Sequence, residues 1–161
     1  MKLRIVPFLM IAVFFSACSS QNVLKLNDAI VKANEDLRIA SESFNKEFDA
    51  VTDNNYTTLE PGRKKMVALI DEKLKEVGGL KADMPGGEDF KSAFMDYYKF
   101  ERDIYDTDYK EVCLLTGKGD AGKLTEIAQQ MQGKADREDA MEKNIHTQQE
   151  QFARKNNLKL K

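Results

Sequence analysis

The stretch LNDAIVKANEDLRIASESFNKEFDAV, residues 26–51, decides the fold. Its apolar residues Leu26, Ile30, Ala33, Leu37, Ala40, Phe44, Phe48 and Val51 recur in steps of three and four, which places them on one face of an α-helix. An apolar face of that length must be covered by other elements, so one such helix implies partners of its own kind. The spacing predicts a first helix over about 22–52, ended by Asp53-Asn54-Asn55, a cluster that favours turns.

Working outward, three more segments carry the same signature. A helix is expected over 59–77, with Thr58 as N-cap, Pro61 in the first turn, and the stripe Met66, Leu69, Ile70, Leu74 and Val77. Gly78-Gly79 should stop it. A third helix is expected over 88–116, after the breaker Pro85-Gly86-Gly87. It holds Phe90, Phe94, Tyr97, Tyr98, Phe100, Tyr105 and Tyr109, so the core should be aromatic there. A fourth is expected over 120–156, with Leu124, Met131, Glu138, Ile145 and Phe152 recurring every seven residues and Gly133 as a candidate interruption. No alternating strand pattern competes. Short turns between long amphipathic helices make neighbours antiparallel, so the expected fold is all-α, an up-down-up-down four-helix bundle. The turns at 53–58 and 117–122 should share the end opposite the termini.

Composition narrows the function classes. The 161 residues carry 25 basic and 27 acidic side chains, and this balance of −2 offers no basic surplus for a nucleic-acid partner. The hydrophobic content of 42% suits a globular domain rather than a disordered chain.

The N-terminus reads as an address. Lys2 and Arg4 precede the apolar run Ile5 to Phe15, followed by Ser16-Ala17-Cys18. The run is shorter than the roughly 20 residues that cross a bilayer. A cysteine directly after small residues resembles the bacterial lipobox, with Phe15 where Leu, Val or Ile is usual. That resemblance implies a leader over 1–17, lipidation of Cys18 and a short tether over 18–21, with the bundle over 22–161. Anchorage to the membrane through N-terminal acyl chains (palmitate among them) then follows, with the outer membrane favoured because Ser19 is not the aspartate that retains such proteins on the inner membrane. The alternative is an ordinary secretory cut near Ala17. Without the leader the formal charge is −4, and Cys113 has no disulfide partner.

The chemistry offered is sparse. Gly117-Lys118-Gly119-Asp120-Ala121-Gly122-Lys123 matches the start of a phosphate-binding loop, but Leu124 stands where the magnesium-binding hydroxyl belongs and a helix precedes it. No nucleotide is expected there; Asp120 reads as an N-cap. His146 is the single histidine, with Lys143 three residues before it, so the paired Glu-x-x-His motifs of di-metal bundles are missing. No metal, cofactor or catalytic residues are assigned, and the expectation is a protein that is not an enzyme.

Acidic residues on apolar faces are the less ordinary feature. Glu101 and Asp108 fall between the columns Phe90, Tyr97, Ile104 and Tyr98, Tyr105, Val112, and Glu138 falls within the apolar column of the fourth segment. A hairpin centred near 119–120 sets Glu101 and Glu138 at nearly one height. Buried carboxylates must be paired, hydrogen-bonded or protonated. Two readings remain open: a structural network with tyrosines and bases such as Arg63 or Lys64, or a cleft of Glu101, Asp108, Glu138, Tyr97 and Tyr105 that takes a small cationic or polyhydroxylated ligand.

The lipobox, the aromatic and acidic run Phe90 to Glu111, and the tail Gln149 to Leu158 together resemble uncharacterised helical surface lipoproteins of Bacteroidetes-like bacteria. The resemblance implies an all-α mature domain in the cell envelope and supplies no catalytic residues. The expected role is non-enzymatic binding or assembly, with an envelope protein as a possible partner; a periplasmic holdase for unfolded chains is the alternative, and it requires a lasting exposed apolar patch.

Overall fold

A computed structural model describes residues 13–14 and 21–160, and the chain is an all-α, up-down-up-down four-helix bundle. Cys18 and the rest of the 1–20 segment apart from 13–14 lie outside the described residues. Helix α1 spans Gln21–Asp49, α2 Glu60–Gly78, α3 Gly87–Asp106, a short α4 Asp108–Val112, and α5 Ala121–Lys155. Among the described residues, Val13–Phe14 also pair antiparallel with Lys159–Leu160.

The apolar stripe of α1 is buried as its spacing requires, with Leu26, Ile30, Ala33, Leu37 and Phe44 almost fully covered. The helix ends where Asp53 and Asn54 take left-handed backbone angles, φ 55° and 56°, a conformation their short polar side chains tolerate. Thr58 is not the cap of α2. Asn55 caps a 3-10 turn over Tyr56–Leu59 instead, its side chain accepting from the Thr57 N–H at 3.3 Å, and α2 continues from that turn.

The third segment is not continuous. Helix α3 stops at Asp106 and α4 restarts at Asp108, across Thr107 with φ −113° and ψ −72°. Two donors explain the break. The Thr107 hydroxyl donates back to the Asp103 carbonyl at 2.6 Å. The buried Arg63 of α2 donates to the Tyr105 carbonyl at 3.2 Å and to Asp106 at 3.3 Å, while Glu60 holds its other face. The fourth segment, by contrast, runs unbroken through Gly133 for 35 residues, about 52 Å of helix. Asp120 stands at its N-cap position but turns backward, accepting from the N–H groups of Thr116 (2.7 Å) and Gly117 (3.3 Å).

Helix α3 is the hub and packs against α1, α2 and α5. The α1–α3 register is fixed by two hydroxyl contacts, Tyr98 donating to Asn34 at 2.7 Å and Tyr105 meeting Ser41 at 3.4 Å. Phe44 packs edge-on to Tyr105 and Tyr109, with ring centroids 5.4 and 5.0 Å away. At one end the Tyr56 N–H bonds the Leu115 carbonyl at 3.0 Å, joining the two turns that were expected to share it. At the other end Asn156 donates to the Pro85 carbonyl at 2.8 Å, and Phe152 stacks on Phe90 at 5.0 Å.

Candidate functional site

Because α3 and α5 are antiparallel neighbours, their seam has two flanks, and each gathers a different set of side chains. The inner flank holds the carboxyl groups. The carboxyl groups of Glu101 of α3 and Glu138 of α5 face each other across the seam, one turn from the contact of Tyr97 with Glu142. Glu101 is partly exposed as a residue, yet its Oε1 is sealed from solvent and has no hydrogen-bond partner.

The electrostatics follow from that placement. Burial holds the Glu101 carboxyl well above the ordinary carboxylate range, and the like charges of Glu138 and Glu142 push it further. Glu138 is raised by burial and by Glu142 and Asp139, and its contact with Glu101 opposes the rise. Glu142 is raised by burial and by Asp139, with the Tyr97 hydroxyl opposing. Tyr97 is in turn pushed far above its usual value, first by burial and then by the carboxyl charges. The pair therefore favours holding a proton over bearing two charges.

Three of the five residues expected at the site meet here: Glu101, Glu138 and Tyr97. Asp108 does not join them. It is 6% exposed and its carboxylate is matched by Lys134 at 2.6 Å, which also reaches Asp103 at 3.4 Å. Tyr105 turns its hydroxyl toward Ser41 of α1. Glu101, Glu138 and Glu142 are half-buried along the seam, with the Glu101 Oε1 atom sealed within it. Glu142 and Lys134 were missed; the signals that would have found them are the four-residue steps from Glu138 to Glu142 and from Glu101 back to Tyr97, read together across the hairpin.

The outer flank is open. A groove of about 520 Å³ runs between Ala93, Asp96 and Phe100 of α3 and Arg137, Met141 and Asn144 of α5. Lys99 and Asp103 stand on its rim. Small Ala93 leaves the space, and the Arg137 guanidinium lies 4.9 Å over the Phe100 ring. Arg137 pairs with no carboxylate among the described residues, so its donors face outward from a ring that occupies one face of the guanidinium. These residues recur in steps of three and four on each helix, but their mixed apolar and charged character hides the face from an apolar pattern.

Other groups are already engaged. Lys123 of the glycine-rich turn is ion-paired with Glu111 at 3.2 Å and with Glu126. His146 meets Glu150 at 3.3 Å on an exposed face. Burial pushes the Cys113 thiol up to about 11, which leaves it a poor nucleophile. Among the described residues no three His, Cys, Asp or Glu side chains are placed to hold a metal ion, and no helix is long and apolar enough to cross a membrane. The large apolar side chains exposed there are Ile39 and Leu114, one on α1 and one beyond α4. Comparison of the chain with protein-family models, with curated proteins and with solved structures finds no match.

Proposed function

We propose that this chain is a lipid-anchored protein of the bacterial cell envelope with a non-enzymatic binding or assembly role, engaging its partner along the outer flank of α3 and α5. The groove carries the reading. It joins an apolar floor, an uncommitted guanidinium and the carboxylates Asp96 and Asp103 in a concave surface large enough for a side-chain cluster or a small ligand. The up-down-up-down order supports the tether. It returns the end of α5 to the side where α1 begins, and Gln21 follows Cys18 closely enough to keep the bundle near the bilayer, within roughly 11 Å at full extension. Several acyl chains anchor a protein without a spanning helix. A holdase role draws no support from Ile39 and Leu114, two exposed apolar side chains among the described residues being too few to make a broad patch.

The test is photo-crosslinking in envelope membranes from reporters placed at Asn144, on the groove, and at Ile39, away from it. A discrete adduct from Asn144 that disappears with Arg137→Ala, and is not formed from Ile39, supports the reading. Equal labelling from both positions, or an Asn144 adduct indifferent to Arg137→Ala, removes the groove from the account.

A further inference from the structure

Helix α5 is pinned at its ends and lightly seated between them. Ile127 packs with Val112 and Leu115 at one end, and Phe152 and Ala153 join the main core at the other. From residue 129 to 148, about 30 Å of helix, no side chain is fully buried. Half-buried Met131, Met141 and Ile145 pack against the core along this stretch, and the polar contacts with α3 and α4 include the Lys134 ion pairs, Arg137 on Phe100, Glu101 with Glu138, and Tyr97 with Glu142. Burial would lower the Lys134 ammonium, but Asp108 and Asp103 hold it above its usual value, so that contact keeps its charge through the neutral range. The carboxyl contact does not.

We propose that the Glu101–Glu138 pair is a proton-operated latch: a proton held between the two carboxyl groups seats the middle of α5 on α3, and its loss lets that stretch lift and take up water. The geometry demands a proton because Glu101 Oε1 is sealed without a donor and the group facing it is another acid. Among the described residues no base supplies compensation. On α3 the neighbours are Tyr97 and Tyr105 and on α4 Tyr109, while Asp108 of α4 is matched by Lys134 of α5. On α5 the remaining neighbours are Glu142 and Asp139, both acidic. From α1, Arg38 shares the stripe of Asn34 and Ser41, but its guanidinium is held by Glu35 and Glu42. From α2, Arg63 and Asp71 meet α3 through Asp106 and Arg102. Ionising the pair would place two like charges together in a site without a matching cation, a costly arrangement that opening to water relieves.

The sign follows from linkage. The closed seam holds a proton that the opened one releases at the ordinary carboxyl value. Seating is therefore complete below that value and is lost as pH rises through the raised value of the closed pair. Between the two, each proton so held multiplies the opening equilibrium by about tenfold per pH unit. The latch is independent of what occupies the groove, and its test contains no ligand.

Hydrogen exchange of the full chain at pH 5 and pH 8, each rate divided by its intrinsic rate at that pH, reads the opening directly. Protection within 129–148 should fall by about tenfold or more at pH 8, while α1 and α2 stay constant. In Glu101→Gln, whose amide keeps the shape of the protonated acid, the fall should shrink to within about threefold. Constant protection in the parent chain overturns the latch, as does an undiminished fall in Glu101→Gln. Glu138→Gln, at the less buried partner, gives the same decision should Glu101→Gln fail to fold. Carboxyl-carbon NMR of the unmodified chain needs no variant, and a Glu101 signal titrating in the ordinary carboxylate range also overturns it.

Discussion

Truncating Phe152 should be among the most damaging single changes in the molecule. Its side chain is fully buried, lies stacked on Phe90 at 5.0 Å and 23°, and belongs to the cluster that holds the C-terminal end of α5 on the bundle. Phe152→Ala loses the transfer free energy of the ring, leaves a cavity its neighbours fill only in part, and forfeits the ring pair. The first two together cost about 3–5 kcal/mol, with the stacking near the upper end adding roughly 1. Because the fully buried residues of α5 lie only near its two ends, the loss should not be absorbed by small shifts along the helix. Met141→Ala is the control: the side chain is half-buried beside the groove and already has open space next to it, so about 1 kcal/mol or less is expected. Urea unfolding at fixed pH gives both numbers, and for a domain of this size the Phe152 loss corresponds to roughly 10–20 °C in Tm. A Phe152→Ala cost no larger than that of Met141→Ala would show that the end of α5 is not an anchor, and the pinned-helix reasoning would fail with it.

Three further outcomes follow from the same structure. Arg63→Met should destabilise by about 2–3 kcal/mol, since Arg63 is 5% exposed and its loss strips the Tyr105 carbonyl of a donor and leaves Glu60 with only Lys64 and Asp106 with only Arg102; urea unfolding measures it. Gly133→Ala should stabilise by about 1 kcal/mol, because Gly133 lies inside continuous helix with nothing within 4 Å of an added Cβ; a lower Tm would reveal an unrecognised need for glycine there. Arg63 holds the Glu60 carboxyl down to about 2, so its contribution is present above the ordinary carboxyl value and is lost as pH falls toward 2. Glu60→Gln should thus flatten the acid limb of the stability–pH curve, and an unchanged limb would assign acid sensitivity elsewhere.

What was legible in the sequence is what depends on period alone. The steps of three and four from Leu26 to Phe48 fix α1 and the side it buries. The hairpin centred near 119–120 brings Glu101 opposite Glu138 because antiparallel helices with one short turn pair residues equidistant from it. What was hidden depends on partners distant in the chain. The break at Thr107 owes much to Arg63, whose role comes from the α2–α3 packing and not from any local signal. Asp108 looks like a member of the carboxyl pair until Lys134 is seen to reach it from α5. The groove between Phe100 and Arg137 is a product of how far the two helices stand apart, which no spacing of apolar residues encodes. Gly133 errs the other way: its low helix propensity is real, but 35 residues of cooperative helix pinned at both ends override it.

The mass of the processed N-terminus, measured on protein extracted from its native envelope, tests the central claim most directly. The account predicts a chain that starts at Cys18 and carries diacylglycerol on the thiol. A water-soluble chain whose Cys18 bears a free thiol would contradict it.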